Sequence, residues 1–182
     1  MAHRVPGFDV LATSLEGRRD ALLAALRRLG RFRPGGYRNV VVGSVEDRAA
    51  FLDRVAEGLA RDALLPTALA RLLPIDHTLR FTLDSALEDI AAAAEPLVDG
   101  LVGDAFFVRV ERRGMKGRLH TPTLERDLAD RVWRMLEARG RVPRVDFGDP
   151  DGVLVVETLG DQAGITLLPR ALREKYAFVR VR

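Results

Sequence analysis

The sequence contains no cysteine. Without thiols the chain cannot form a disulfide framework, a cysteine-ligated zinc or iron–sulfur site, or a cysteine nucleophile. Long apolar runs are also missing, because no stretch approaches the roughly 20 apolar residues that a membrane helix needs. The first six residues lack the apolar core of a signal peptide. These absences predict a cytoplasmic protein with no membrane partner.

Motifs of common enzymes are absent as well. We find no Walker loop, no Gly-x-Gly-x-x-Gly after a strand, and no Gly-x-Ser-x-Gly. The histidines His3, His77 and His120 are far apart and lack the spacing of metal ligands. The segment 149–152, Asp-Pro-Asp-Gly, resembles a fragment of a calcium loop but lacks the other ligands, so it is interpreted as a turn. The sequence therefore predicts no catalytic residue, no cofactor and no metal.

The composition supports one large domain or two small ones. The chain has 182 residues, of which 47% are hydrophobic and 30% are charged. Residues 1–104 carry 13 Lys and Arg against 15 Asp and Glu, a net charge of −2, whereas residues 105–182 carry 16 against 11, a net of +5. A polyanionic partner would therefore bind the second half. The alternative is a solvated basic surface without a partner.

The first 82 residues predict the order β-α-β-α-β. Strands are expected at residues 8–13, 39–43 and 78–82, and residues 31–36 read as a loop. A capping box at Thr13 and Glu16 predicts the first helix, Ser44 starts the second, and Pro66 and Pro74 bound a third, short one. The pattern indicates a ferredoxin-like α/β domain with one strand too few. The linker falls near residue 83, which gives domains at 1–83 and 84–182.

The second half begins with a helical stretch that starts at Ser85 and that Pro96 should kink or divide. Residues 105–112 give the strongest strand signal in the chain, because Phe106, Val108 and Val110 face one way whereas Arg109 and Glu111 face the other. Thr121 is expected to cap the next helix, which ends at Gly140. Trp133 lies beside the apolar stripe of this helix and is expected to pack there; the stripe consists of Leu124, Leu128, Val132, Met135 and Leu136. Further strands are expected at residues 145–147, 153–157, 164–168 and 177–181.

The densest basic cluster follows the strongest strand. Its members are Arg109, Arg112, Arg113, Lys116, Arg118 and His120. A strand end and loop of this composition can grip successive phosphates, and arginine can do so with two hydrogen bonds. A solvated loop is the alternative. Five more cations either extend this face or form a separate surface patch: Arg170, Arg173, Lys175, Arg180 and Arg182.

An ordered set of short motifs resembles the THUMP domain. Residues 107–114 resemble its first strand and the basic residues after it, and residues 121–126 resemble the Thr/Ser-rich start of its next helix. Residues 145–151 resemble its "Val-Asp-Leu, Asn-Pro-Asp" passage, and residues 155–157 its "Ile-x-Val-Glu" strand. Two departures stand out, because Asp149 replaces the usual Asn and the Thr-Ser pair reads Thr121-Pro122-Thr123. The set spans about residues 84–170 and is more specific than any single motif.

The resemblance implies an α/β fold, with an amino-terminal ferredoxin-like domain followed by a THUMP domain whose mixed sheet is flanked by helices. In that family the two domains bind tRNA, often near the acceptor end, and deliver it to a fused or partner modification enzyme. The layout is similar to standalone THUMP proteins such as the adaptor for tRNA cytidine acetylation. This implies a non-catalytic, tRNA-binding adaptor. The RNA-binding residues implied are Arg109, Arg112, Arg113, Lys116, Arg118, His120, Thr121 and Thr123.

Two other functions stay open at this point. One is an RNA-modifying enzyme that uses an acidic site, with Asp146, Asp149 and Asp151 as its candidate residues. The other is a protein-interaction scaffold that has kept the fold and lost RNA, with the acidic first half as its docking surface.

Overall fold

The computed structural model describes residues 7–181. Contacts divide these residues into two compact units, one of residues 7–75 and 175–180 and the other of residues 76–174, with residue 181 grouped with the second. Each unit contains one β-sheet with flanking helices. The predicted α/β class is therefore confirmed.

The first unit has the ferredoxin-like order β-α-β-β-α-β. Its elements are β1 (Val10–Ser14), α1 (Arg19–Arg27), β2 (Arg31–Pro34), β3 (Val40–Ser44), α2 (Arg48–Arg61) and β4 (Leu69–Pro74). The sheet order is β2-β3-β1-β4, and all pairs are antiparallel. Two of its four strands, β2 and β4, were not predicted from the sequence pattern.

Two segments of this sheet were wrongly predicted. Residues 31–36 were expected to be a loop, but Phe32 is buried between more exposed neighbours and forms part of β2 against β3. The segment between Pro66 and Pro74 was expected to be helical, but most of it is β4, which pairs with β1. Leucines at 69, 72 and 73 fit a helical stripe by local spacing. Pairing with a buried strand outweighs that local preference.

The helix starts of the first unit also differ from the prediction. Thr13 lies inside β1, and α1 begins only at Arg19 without a side-chain cap. Ser44 is the last residue of β3, whereas Asp47 caps α2 by accepting a hydrogen bond from the Ala50 N–H at 2.9 Å. A capping residue acts only where the chain turns from extended to helical, and tertiary pairing sets that point.

The second unit contains a mixed five-stranded sheet. Its elements are β5 (His77–Arg80), α3 (Ala86–Val98), β6 (Ala105–Arg113), α4 (Thr121–Ala138), β7 (Arg144–Val145), β8 (Gly152–Leu159), β9 (Gln162–Pro169) and α5 (Arg170–Lys175), whose last residue groups with the first unit. The sheet order is β5-β9-β8-β6-β7. Strand β6 is parallel to both of its neighbours, and the other pairs are antiparallel.

Three further expectations for the chain need correction. The strand expected at residues 78–82 exists as β5, but it pairs with β9 in the second sheet and does not complete the first. Residues 177–181 form no strand; instead the Phe178 carbonyl accepts a hydrogen bond from the Leu72 N–H at 2.9 Å. Pro96 does not divide α3, which continues to Val98, because the proline lies in the last turn, where few backbone bonds remain to be lost.

Helices α3 and α4 cover one face of the second sheet. Phe106, Val108 and Val110 of β6 point into this core, as the alternation predicted, and meet the apolar stripe of α4. Trp133 packs with its ring centroid 6.5 Å from that of Phe106, which confirms its expected packing role. The alternate residues of β6, beginning with Phe107, lie on the opposite face.

Candidate functional site

The predicted basic cluster lies at the carboxyl end of β6, in the following loop of residues 114–120, and at the start of α4. We call residues 114–120 the basic loop. Gly114, Met115 and Gly117 have φ angles of 82°, 50° and 76°, so three of its seven residues are left-handed. The N–H groups of Arg118 and Leu119 both donate to the Met115 carbonyl at 3.0 Å. The Leu119 side chain of this loop is buried, whereas Lys116, Arg118 and His120 are exposed. The basic loop is therefore a tight turn that projects its charged side chains outward.

Two cations of the basic loop are free. Lys116 and Arg118 are both exposed, and within residues 7–181 neither side chain has a hydrogen-bond or ion-pair partner. No side chain of the described range therefore neutralises their charge. These two residues are the members of the predicted set best placed to contact an anion.

Arg109 lies further back on β6 and is held by neighbouring groups. Its Nη1 atom is 3.6 Å from Oε1 of Glu125, and its guanidinium lies 5.6 Å from the centroid of the Phe107 ring. The other carboxylate oxygen of Glu125 accepts a hydrogen bond from the Val110 N–H at 2.8 Å. Strand β7 pairs with β6 only at Ala105 and Phe106, and further along β6 the Glu125 carboxylate accepts the hydrogen bond of the Val110 N–H. The same carboxylate holds the Arg109 side chain in place.

Arg112 and Arg113 serve the fold of the strand end. Nη1 of Arg112 donates to the Gly114 carbonyl at 2.8 Å, which helps shape the basic loop. Arg113 forms an ion pair with Glu157 of β8, and its side chain is only 16% exposed. Their charges are partly used within the protein. The prediction that this pair grips phosphate remains a prediction.

The start of α4 differs from the expected cap. His120, not Thr121, is the capping residue, and its Nδ1 atom accepts a hydrogen bond from the Thr123 N–H at 3.3 Å. The same Nδ1 atom lies 2.7 Å from the Thr123 hydroxyl oxygen. Thr121 is the first helical residue and is half-buried. Three of the predicted RNA-binding residues therefore meet at one helix terminus next to the basic loop.

The acidic segment 146–151 forms a hydrogen-bonded turn. Oδ1 of Asp146 accepts hydrogen bonds from the Gly148 and Asp149 N–H groups, both at 2.9 Å. These backbone bonds, that from Asp149 first, hold the pKa of Asp146 below its ordinary value. The hydrogen-bonded turn therefore precedes most of the turn predicted at residues 149–152, and Gly152 is already the first residue of β8.

Asp151 joins this turn to β6. Its Oδ2 atom accepts a hydrogen bond from the Ala105 N–H at 2.9 Å, and Arg170 donates to Oδ1 at 3.1 Å. The bond from Ala105, followed by that from Arg170, lowers the pKa of Asp151. Asp149 also pairs with Arg170. Each of the three carboxylates proposed for an acidic catalytic site thus has partners in the protein.

The carboxy-terminal cations do not form one free patch. Arg170 pairs with the two aspartates of the turn, and Arg173 donates to the Pro150 carbonyl at 2.6 Å. Lys175 and Arg180 group with the first unit, where Lys175 pairs with Asp53 at 3.1 Å and Arg180 donates to the Ala70 carbonyl at 2.8 Å. Arg182, like His3, lies outside the described residues.

One surface residue was not recognised from the sequence. Phe147 is 68% exposed, and its ring centroid lies 5.3 Å from that of Phe107. The sequence pattern assigned it to a strand, but β7 ends at Val145. The signal available was its position directly before Gly148 and Asp149, in a segment that favours a turn.

Two general features of residues 7–181 bear on the class of protein. No helix in this range is long and apolar enough to cross a membrane. The range also holds no group of three or more His, Cys, Asp or Glu side chains placed to bind a metal ion.

Comparison with known proteins identifies the second unit. Residues 84–168 match the family model of the THUMP domain. The match begins just before α3 and ends in β9, so it includes the whole predicted basic cluster. This region, just under half of the chain, is therefore similar to a THUMP domain.

Similar proteins include a curated relative and several solved structures. A probable tRNA sulfurtransferase of Methanosarcina mazei is 35% identical over 75 residues, which are 41% of this chain and 18% of that protein. TrmN from Thermus thermophilus has a TM-score of 0.64 at 21% identity, over 87% of this chain and 44% of that one. A 4-thiouridine synthetase in complex with RNA and ATP has a TM-score of 0.57 at 12% identity, over 90% of this chain and 42% of that one. This chain thus spans less than half the length of these proteins, and the structural matches show a shared fold that extends through both units.

Proposed function

We propose that this protein binds tRNA through its second unit and presents it to a tRNA-modifying enzyme. The observation that carries the proposal is the THUMP match over residues 84–168, which contains the basic loop and the start of α4. The curated relative is named for tRNA sulfur transfer, and a structural relative was solved with RNA. These names support tRNA over other polyanions as the partner.

The geometry of the basic loop supports contact with the phosphate backbone. Lys116 and Arg118 project from a tight turn and have no ion-pair partner among residues 7–181, and phosphate contacts from such side chains supply much of the affinity for a nucleic acid. The amino terminus of α4 lies directly after the loop and carries the partial positive charge of the helix dipole. Arg109 adds a third cation, held in position by Glu125.

The adaptor role rests on the resemblance to standalone THUMP proteins. It assigns the chemistry to a partner enzyme, and a cytidine acetyltransferase is the candidate that the overall layout favours. The chain itself would position the tRNA. The acidic residues of segment 146–151 would then serve the fold, consistent with their hydrogen bonds to backbone N–H groups.

The test is a binding titration of the purified protein against bulk tRNA and a length-matched duplex DNA over a salt series. We expect a preference for tRNA that persists at moderate salt, because recognition of RNA shape adds to the charge term that salt weakens. Equal and weak binding to both, lost as salt increases, would contradict the proposal. That outcome would favour a scaffold that no longer binds RNA.

A further inference from the structure

Phe147 is the only aromatic residue among the exposed large hydrophobic residues of the described range, which are Leu15, Val102, Val142, Val145 and Phe147. Its ring packs on one side against Phe107 of β6, at 5.3 Å between centroids and 40° between planes. Phe107 itself is 8% exposed. Phe147 therefore presents a largely open aromatic ring on a buried aromatic support.

The segment that carries Phe147 is fixed in place. The N–H of Asp146 donates to the Phe106 carbonyl at 3.0 Å, and the Asp146 carboxylate accepts the two N–H groups that follow Phe147. A ring held in this way loses little freedom when it binds a ligand, so the penalty for ordering it is small.

One guanidinium group lies against this ring pair, and a second is carried just before Phe147 in the chain. Arg109 lies over the Phe107 ring at 5.6 Å, and it belongs to the cluster for which RNA contact is proposed. Arg144, two residues before Asp146, has a 64% exposed side chain that donates to that carboxylate at 3.0 Å. Proteins that hold single-stranded nucleic acid combine an exposed aromatic ring with nearby cations, since bases stack on the ring and phosphates meet the charges.

We infer that Phe147 stacks against an unpaired base of the bound RNA, with Arg109 and Arg144 beside the adjoining phosphates. The inference rests on the proposed function and adds a second contact to it. Phe107 and Arg113 are six residues apart on β6, so the ring lies about 20 Å along the strand from the basic loop at about 3.3 Å per residue. The two contacts would recognise different features, the ring an unpaired base and the basic loop the backbone.

The experiment compares an RNA hairpin that carries an unpaired 3′ tail containing 2-aminopurine with the same hairpin without its tail. The wild-type protein should quench the fluorescence of the tail and bind the tailed hairpin more tightly. Phe147→Ala should remove the quenching and weaken binding of the tailed hairpin at least about fivefold, the lower range for loss of one base–aromatic stack. Binding of the blunt hairpin should not change.

Two conservative variants and a control define the contact. Phe147→Tyr keeps an aromatic ring and should retain both signals, whereas Phe147→Leu keeps an apolar side chain and should lose both. Val142→Ala removes another exposed apolar side chain, 82% exposed, and should behave as wild type. Thermal unfolding of each variant checks that the fold is intact.

Three outcomes would overturn the inference. Unchanged quenching and affinity in Phe147→Ala would show that the ring does not touch the base. Full affinity of Phe147→Leu for the tailed hairpin would show that any apolar side chain suffices at this position and that the ring does not stack on a base. In both cases the wild-type protein still binds the blunt hairpin, so the proposed function stands; if the wild type bound neither RNA, the proposed function would fail together with the inference.

Discussion

The guanidinium of Arg113 on β6 forms an ion pair with the carboxylate of Glu157 on β8, a side chain with no exposed surface. A buried carboxylate is stable as an ion only when charges and hydrogen bonds compensate for its lost hydration. Arg113 therefore has a role in the fold of the second unit that its place in the basic cluster did not reveal. Loss of RNA binding after a change at Arg113 would consequently have two possible causes.

Arg113→Ala should destabilise the protein by about 3 kcal/mol, because it leaves Glu157 buried without this partner. Denaturant unfolding, followed by circular dichroism, measures the change. The double variant R113M/E157L removes both charges and should recover much of the loss. If Arg113→Ala had the stability of the wild type but bound tRNA more weakly, the main role of Arg113 would be contact with RNA and not stabilisation of the fold.

Lys116→Ala and Arg118→Ala should each weaken tRNA binding without changing stability. Both side chains are exposed and free of partners within residues 7–181, so their removal breaks no contact there. Each lost phosphate contact should lower the slope of log affinity against log salt by about 1. Titration at several salt concentrations gives this slope directly.

Arg134→Ala is the matched control for these two variants. Arg134 is an exposed arginine on α4, and it follows Thr121 by 13 residues, about 20 Å along the helix axis. Its removal changes the net charge equally but lies away from the basic loop. An equal loss of affinity in all three variants would indicate nonspecific charge and not a site at the basic loop.

Gly103→Ala should destabilise the protein more than Gly140→Ala. Both glycines have left-handed backbone angles, with φ of +96° and +73°, so either change strains the backbone by roughly 1–2 kcal/mol. A Cβ at Gly103 would also run into the carboxylate of Asp151, whereas a Cβ at Gly140 meets nothing within 4 Å. The difference between the two unfolding free energies thus reports mainly the steric contact with Asp151. Equal values would mean that the turn can shift to accept the methyl group.

The stability of the second unit should decrease in acid through Asp151. Hydrogen bonds from Ala105 and then from Arg170 lower its pKa in the folded state below the ordinary value of 3.8. A depressed carboxyl pKa contributes stability that is complete above the unfolded-state pKa and is lost as the pH falls through the folded-state pKa. The contribution should therefore be complete at pH 6 and decrease progressively as the pH falls below about 4.

Asp151→Asn tests this pH dependence. The variant should unfold more easily than the wild type at neutral pH and converge with it at the lowest pH, because the wild-type carboxyl is then protonated too. Unfolding midpoints measured across the pH series give both curves. A constant difference at all pH values would assign the effect to shape or hydrogen bonding and not to the charge of Asp151.

Local patterns predicted the central elements of the second unit. The alternation of Phe106, Val108 and Val110 predicted β6, and leucines at helical spacing predicted α4. Both signals are strong because one face of each element is buried and the other is not, so the period of the apolar residues shows the structure.

The same reasoning failed where long-range pairing decides the structure. Leu69–Pro74 has leucines at helical spacing but forms β4, which is buried on both sides. Because apolar residues are then needed on both faces, the spacing of the leucines does not distinguish a strand from a helix. His77–Arg80 was correctly predicted as a strand and assigned to the wrong sheet, because no local pattern tells a strand which partner it will meet.

The sequence by itself determined the composition of the candidate site: the basic cluster, its place after a strong strand, and the ordered motifs that resemble a THUMP domain. The tertiary structure decided which of those cations are free. Lys116 and Arg118 project from the basic loop, whereas Arg113 pairs with Glu157, a residue 44 positions away along the chain. It also placed Phe147 on Phe107 at the surface. Charge and motif order are properties of the chain, but burial and pairing depend on which strands become neighbours, and distant residues determine this.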